Sequence, residues 1–231
     1  MFKMCGTKSY FTISVLLFLA LFFSESFSQY TWVNTTDSEG NAIRMKVNSK
    51  TGAPYRLYGL KVNFNNRYGH ITEQNVQGLS RQFLTEYAKL LKIQPGALKF
   101  ESAVNNKGRW YINFKQQYKG VPVYRANVGF TVHENGNVVL VGSDVYPDIS
   151  IDATPAISSD EALKIAQSNF VELTGTDSLV IRKEPELIIF PVENEKNFSY
   201  ILSSVFYLNT NHRSNPLHKS ALTHPTKLAI V

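Results

Sequence analysis

The sequence predicts an α+β protein in which an amphipathic helix laid on antiparallel strands occurs twice. Three observations predict this. Val76, Leu79, Phe83, Tyr87 and Leu90 recur at helical spacing, with Arg81, Gln82, Glu86 and Lys89 on the opposite face. Downstream, Trp110, Ile112 and Phe114, then Val128, Phe130 and Val132, alternate with polar residues at the period of half-buried strands. After residue 157 the same order, helix then strands, returns. Helices and strands segregated in this way read as an α+β arrangement.

The chain of 231 residues opens with a segment that stands apart from the fold. Lys3 and Lys8 precede the apolar run "FTISVLLFLALFF", and "SFS" follows as a small-x-small cleavage site. That is the order of a secretory signal peptide, expected over residues 1–28. The run is about 13 residues, short of the roughly 20 that span a bilayer. The expected location is therefore secreted, with the mature chain starting near Gln29. The single cysteine, Cys5, leaves with the signal, so no disulfide is expected. The formal charge of +6 falls to +5 without Lys3, Lys8 and Glu25. No run of Lys and Arg with interleaved aromatics accompanies that excess, which argues against nucleic-acid binding.

Residues 29–69 are polar and rich in Asn, Gly and Tyr, and read as an irregular N-terminal segment. The first helix is expected to be capped by Thr72 and ended by Pro95 and Gly96. Strands follow, broken by a bend at "KGVP", where Gly120 admits an unusual backbone angle and Pro122 fixes its own. Asn135-Gly136 predicts a type I′ hairpin turn, both of whose central residues need positive φ. Gly120, Pro122, Asn135 and Gly136 are thus expected to be structural.

In the second unit, Ser158 and Glu161 have capping-box spacing, and Ala162, Leu163, Ala166, Phe170 and Leu173 make an apolar face ended at Gly175. "ELIIFPV" and "FSYILSSVFYL" read as two strands about the turn "ENEKN". From Asn197 onward no acidic residue occurs, and residues 208–231 show neither helical nor strand period. Composition predicts a disordered or out-of-frame tail there.

Candidate chemistry is sparse. His133-Glu134 begins like the zinc-protease motif H-E-x-x-H, but the fourth position on is Asn137, and Asn135-Gly136 breaks any helix that could aim two histidines at one metal. His212, His218 and His224 are evenly spaced in the tail without accompanying carboxylates. No metal or cofactor is expected. No serine lies in a G-x-S-x-G setting and no Asp/Glu pair stands out for acid–base work. The chain is therefore expected not to be an enzyme. Asn34 and Asn197 satisfy the N-x-S/T rule.

The segment "GRWYINFKQQYKGVPVYRANVGFTVHENGNVVLVGSDVYP" resembles the FTP domain, the fungalysin/thermolysin propeptide module. Gln116, Gln117, Tyr118, Gly120, Val121, Pro122 and Val123 match its hallmark, and the upstream helix with "LLKIQPGALKF" fits its order. "ISSDEALKIA" through "PELIIFPV" looks like a PepSY-type domain, its usual companion, although the strand and turn expected to complete that unit are replaced by the acid-free tail. The resemblance divides the chain into an FTP domain at 70–149 and an incomplete PepSY-like domain at 150–207, both cystatin-like.

What the resemblance implies is a non-catalytic prosequence, an intramolecular chaperone and inhibitor of a thermolysin-type zinc metalloprotease. The partner would be that catalytic domain, in cis in a longer precursor of which this chain is a truncated front, or in trans. Trp110, Tyr118 and Tyr124, on the aromatic strand and the bend, are the candidate partner contacts. The alternative is a free-standing protein-binding module of the cell envelope or extracellular space.

Overall fold

A computed structural model describes residues 29–37, 39–174, 179–181, 185–210 and 226–230. The expected signal peptide, Gly175 and the three tail histidines lie outside them. Among the described residues no helix is long and apolar enough to cross a membrane.

The architecture is α+β. Seven antiparallel strands form the larger sheet: β1 (Tyr30–Thr36), β2 (Ala42–Asn48), β3 (Pro54–Tyr58), β4 (Leu98–Asn106), β5 (Arg109–Tyr118), β6 (Val121–His133) and β7 (Val138–Asp144), in the order β1-β2-β3-β7-β6-β5-β4. Three helical pieces lie between β3 and β4: α1 (Phe64–Arg67), α2 (Val76–Glu86) and α3 (Ala88–Leu91). They cover one face of this sheet. Phe64, Phe83, Leu84 and Leu91 meet Ile43, Leu57, Ile112, Phe114, Val128, Phe130 and Val141 in a single buried cluster. Phe83 sits 4.8 Å from Phe130 and 5.4 Å from Phe64, ring centre to ring centre, at the middle of that cluster.

Residues 29–69 correct the expectation of an irregular segment, because three of the seven strands come from them. Their asparagines and glycines make the turns. Asp37 accepts hydrogen bonds from the backbone N–H groups of Glu39 and Asn41, and Asn48 accepts from those of Lys50 and Thr51. Between the turns Ile43 and Met45 are buried while Arg44 between them is exposed. The period was present, but the polar composition around it hid it.

The first helix also departs from expectation. Thr72 does not cap it. The carbonyl of Thr72 accepts from the N–H of Val76, where the helix begins, and Asn75 accepts from the N–H of Thr72. The helix breaks at Tyr87 (φ −91°, ψ 10°) and ends at Lys92, whose φ is 52°. Pro95 therefore follows the helix end instead of making it.

Turn chemistry differs too. Gly136 has φ 86°, but Asn135 is not among the positive-φ residues, so Asn135-Gly136 is not type I′. The Gly136 N–H donates to His133 O and the His133 N–H to Asn137 O, a three-residue hairpin loop with glycine in the left-handed position. Two-residue loops with both φ positive occur instead at Lys107-Gly108 and Lys119-Gly120.

The second unit contains α4 (Ser159–Thr174), β8 (Leu179–Ile181), β9 (Glu186–Glu193), β10 (Phe198–Thr210) and β11 (Thr226–Ile230). Ser158 caps α4 as expected, its hydroxyl accepting from the N–H of Glu161 at 3.2 Å. Ala162, Ala166 and Phe170 bury their face against Phe206 of β10. β10 pairs antiparallel with β9 and β8, and with β11. Residues 226–230 thus correct part of the expected tail: their backbone satisfies hydrogen-bonding groups of β10 that composition could not reveal. Residues 211–225 lie outside the description.

Candidate functional site at the joint of the two units

The bend at "QQYKGVPVYR" is where the larger sheet meets the second unit. β6 pairs with β5 at Val121 and Pro122, leaves the ladder over Val123–Ala126, and rejoins it at Asn127 opposite Lys115. Such an excursion re-aims side chains. Arg125 sits in it with φ 57°, a backbone region that costs a non-glycine residue roughly 1–2 kcal/mol. Freed from β5, Val123 forms a parallel bridge to Ile189 of β9.

Around that bridge lies a buried cluster of Val123, Ala126 and Ile189, with Tyr118, Tyr146, Tyr200 and Leu202 packed on it. The Tyr124 ring stacks on Phe190 with centroids 5.0 Å apart and planes at 26°. Tyr146 meets Phe198 and Tyr200 edge-on, at 5.0 and 5.9 Å. Burial pushes the Tyr146 hydroxyl pKa up, and that of Tyr200 up to about 12. Two lysines add polar ties: Lys119 donates to Ile151 O at 3.3 Å, and Lys50 pairs with Glu193 at 2.8 Å.

The excursion strips Gln116 of its place opposite β6, and its side chain takes over. Gln116 Nε2 donates to the carbonyl of Tyr146 at 2.7 Å, and Oε1 accepts from the N–H of Tyr146 at 2.9 Å. This amide is nearly buried and fastens the chain as it leaves β7. Beside it lies a cavity of about 50 Å³ lined by residues including Leu98, Gln116, Tyr118 and Tyr146. That is room for one or two waters, far below the few hundred Å³ of a small-molecule site.

The candidate contacts are not brought together on one surface. Trp110 is only 8% exposed and belongs to the helix-facing core, as its alternation with Tyr111 requires, which corrects its selection as a contact. Tyr118 and Tyr124 flank the bend and are half-buried against the second unit. Gly120 (φ 84°) makes the turn and Pro122 pairs with Gln117. Gly136 is buried where the β6–β7 turn docks on α1: the Phe64 N–H donates to its carbonyl, and Asn63 Nδ2 donates to Asn135 O at 2.8 Å and Asn137 Oδ1 at 2.9 Å. His133 ends β6 and Glu134 lies in the turn. Among the described residues no cluster of three or more His, Cys, Asp or Glu could hold a metal.

Sequence reasoning missed the Gln116 clamp. Its only signal was a polar residue at a position where the strand's alternation calls for an apolar one, in line with Trp110, Ile112 and Phe114.

No protein family matches the chain, and no curated protein matches it. Solved structures similar to it include the C-terminal domain of YpeB from Bacillus megaterium, at 13% identity over 87% of this chain and 88% of that one, with a TM-score of 0.36. Another is an uncharacterized protein from Eubacterium rectale, at 10% identity over 97% and 79%, with a TM-score of 0.40. The fold and the joint define a two-unit α+β protein, and that class is what stands.

Proposed function

We propose that this chain is a non-catalytic, exported propeptide-type module that assists folding of a thermolysin- or fungalysin-type metalloprotease domain and inhibits it. The observation that carries the reading is the run Gln116–Val123. It resembles the FTP hallmark at Gln116, Gln117, Tyr118, Gly120, Val121, Pro122 and Val123, and it forms the bend on which the helix-on-sheet unit meets a second one. A chain that binds the folded protease and not its unfolded chain would favour folding by mass action. Covering the cleft would exclude substrate. The protease domain would act in cis in a longer precursor, or in trans.

A second reading, a free-standing binding module, is favoured by one observation. The residues of the bend are engaged by the chain's own second unit, leaving partner contact to other surfaces. The test is peptide hydrolysis by thermolysin as probe, with the full chain added. Competitive inhibition at stoichiometric amounts supports the first reading; rapid digestion of the chain with no loss of activity favours the second.

A further inference from the structure

The face of the larger sheet turned away from the helices carries an ordered set of cations and rings on β1–β3. Ile43, Met45 and Leu57 point to the core, so their alternating neighbours Arg44, Lys46, Arg56 and Tyr58 stand on the other face. Arg44 Cζ lies 4.2 Å from the centre of the Trp32 ring, and Trp32 lies 5.7 Å from Tyr58. Arg56 Cζ lies 4.0 Å from the Tyr55 ring, and Lys46 Nζ lies 5.1 Å from Tyr30 and 5.9 Å from Tyr55. A register shift between Lys46 and Val47 supplies the extra residue, Tyr55, that allows this crowding. Gly142 on β7 leaves room for the guanidinium of Arg56, whose Nη1 would lie 2.7 Å from any Cβ there.

The charges on this face are unbalanced. Arg44, Lys46 and Arg56 take part in no ion pair among the described residues, whereas Lys50, Arg67 and Lys115 do. The nearby carboxyl, Asp144, is exposed at the end of β7, one carboxylate against three cations; desolvation raises its pKa, against the pull of Arg56. Trp32 and Tyr58 remain about half exposed, at 51% and 45%. Arg56 spends part of its edge on its neighbour, Nη1 donating to the Tyr55 carbonyl at 2.7 Å and Nη2 to the Tyr55 hydroxyl at 3.4 Å, whereas Arg44 donates to no group among the described residues. A guanidinium already seated on a ring loses little freedom on pairing with a carboxylate.

We propose that the β1–β3 face, through Arg44, Lys46 and Arg56 seated on Trp32, Tyr30 and Tyr55, docks an acidic protein surface rich in carboxylates. Charge complementarity selects that occupant. A nucleic acid is disfavoured because bases stack on free ring faces, and three of these rings already hold a cation. The proposal does not depend on the reading as a propeptide.

The test is titration of the full chain with poly-L-glutamate at low salt, followed by tryptophan emission. Trp32 is the exposed reporter, and Trp110 gives a buried, constant background. Binding is expected to vanish by roughly 0.3 M salt, where screening shortens the reach of exposed charges. R44Q/K46Q is expected to weaken it roughly fivefold or more, and R44Q alone by less, while K99Q/K164Q, at exposed sites elsewhere, leaves it unchanged. Circular dichroism of each variant checks the fold. No binding, equal loss in K99Q/K164Q, or tighter binding of single-stranded DNA or heparin at equal charge concentration would overturn the proposal.

Discussion

Gln116 and Tyr146 are joined by two hydrogen bonds running in opposite directions between one side-chain amide and one backbone residue. The side chain does what a neighbouring strand would have done, at the place where β6 has turned to the second unit. Gln116→Ala removes both bonds and leaves the N–H and carbonyl of Tyr146 short of partners. The expected cost is roughly 2–4 kcal/mol, read as a lower urea midpoint with unchanged slope. Gln116→Glu loses the donor alone, and is expected to recover stability below the carboxylate pKa, where a protonated acid can donate again.

Gly120 and Gly136 have nearly the same φ, 84° and 86°, in different surroundings. A Cβ on Gly120 meets nothing within 4 Å, so Gly120→Ala should cost only the left-handed backbone penalty, about 1 kcal/mol. A Cβ on Gly136 would come within 2.7 Å of Asn63 Oδ1 and 2.9 Å of the Asn65 backbone N. Gly136→Ala is expected to cost at least about 2 kcal/mol more, by detaching the turn from α1. Equal losses in thermal melts of the two variants would contradict this.

Ser80 is fully buried on α2, and its hydroxyl has no hydrogen-bond partner among the described residues. Ser80→Ala removes an unsatisfied group and adds a better helix former. Chemical denaturation is expected to show a gain of about 1 kcal/mol.

Alkaline stability follows from the tyrosines. Burial raises Tyr87 and Tyr200 from the usual 10.0 to about 12, and burial with the bond to Glu86 raises Tyr68 further. Below pH 10 both folded and unfolded chains keep these phenols protonated, and their contribution is fully present. Above pH 10 the unfolded chain ionises first, so stability is lost as pH rises from 10 toward 12. Unfolding free energies across that window should fall less steeply in Tyr87→Phe/Tyr200→Phe than in the parent.

Parts of this fold were legible for a physical reason. The alternation of Trp110, Ile112 and Phe114 and the cap at Ser158 are local signals, carried by residues whose neighbours in sequence decide their geometry. What was not legible depends on distant partners. Ile43 and Met45 gave too short a pattern to outweigh their polar surroundings, and became a strand through pairing with β1 and β3. Asn135-Gly136 had the composition of one turn and adopts another, because its glycine must dock on Phe64 and Asn65. Tyr118 and Tyr124 were recognised as flanking a bend, but nothing local says that the bend is occupied by Ile189 and Phe190.

The central claim is that the chain assists a metalloprotease domain. Its most direct test is refolding of acid-unfolded thermolysin catalytic domain with and without stoichiometric full chain, scored by recovered hydrolysis after the chain is digested away. The account predicts a several-fold higher yield with the chain, preceded by a lag while inhibition persists. An unchanged yield with no lag would contradict it.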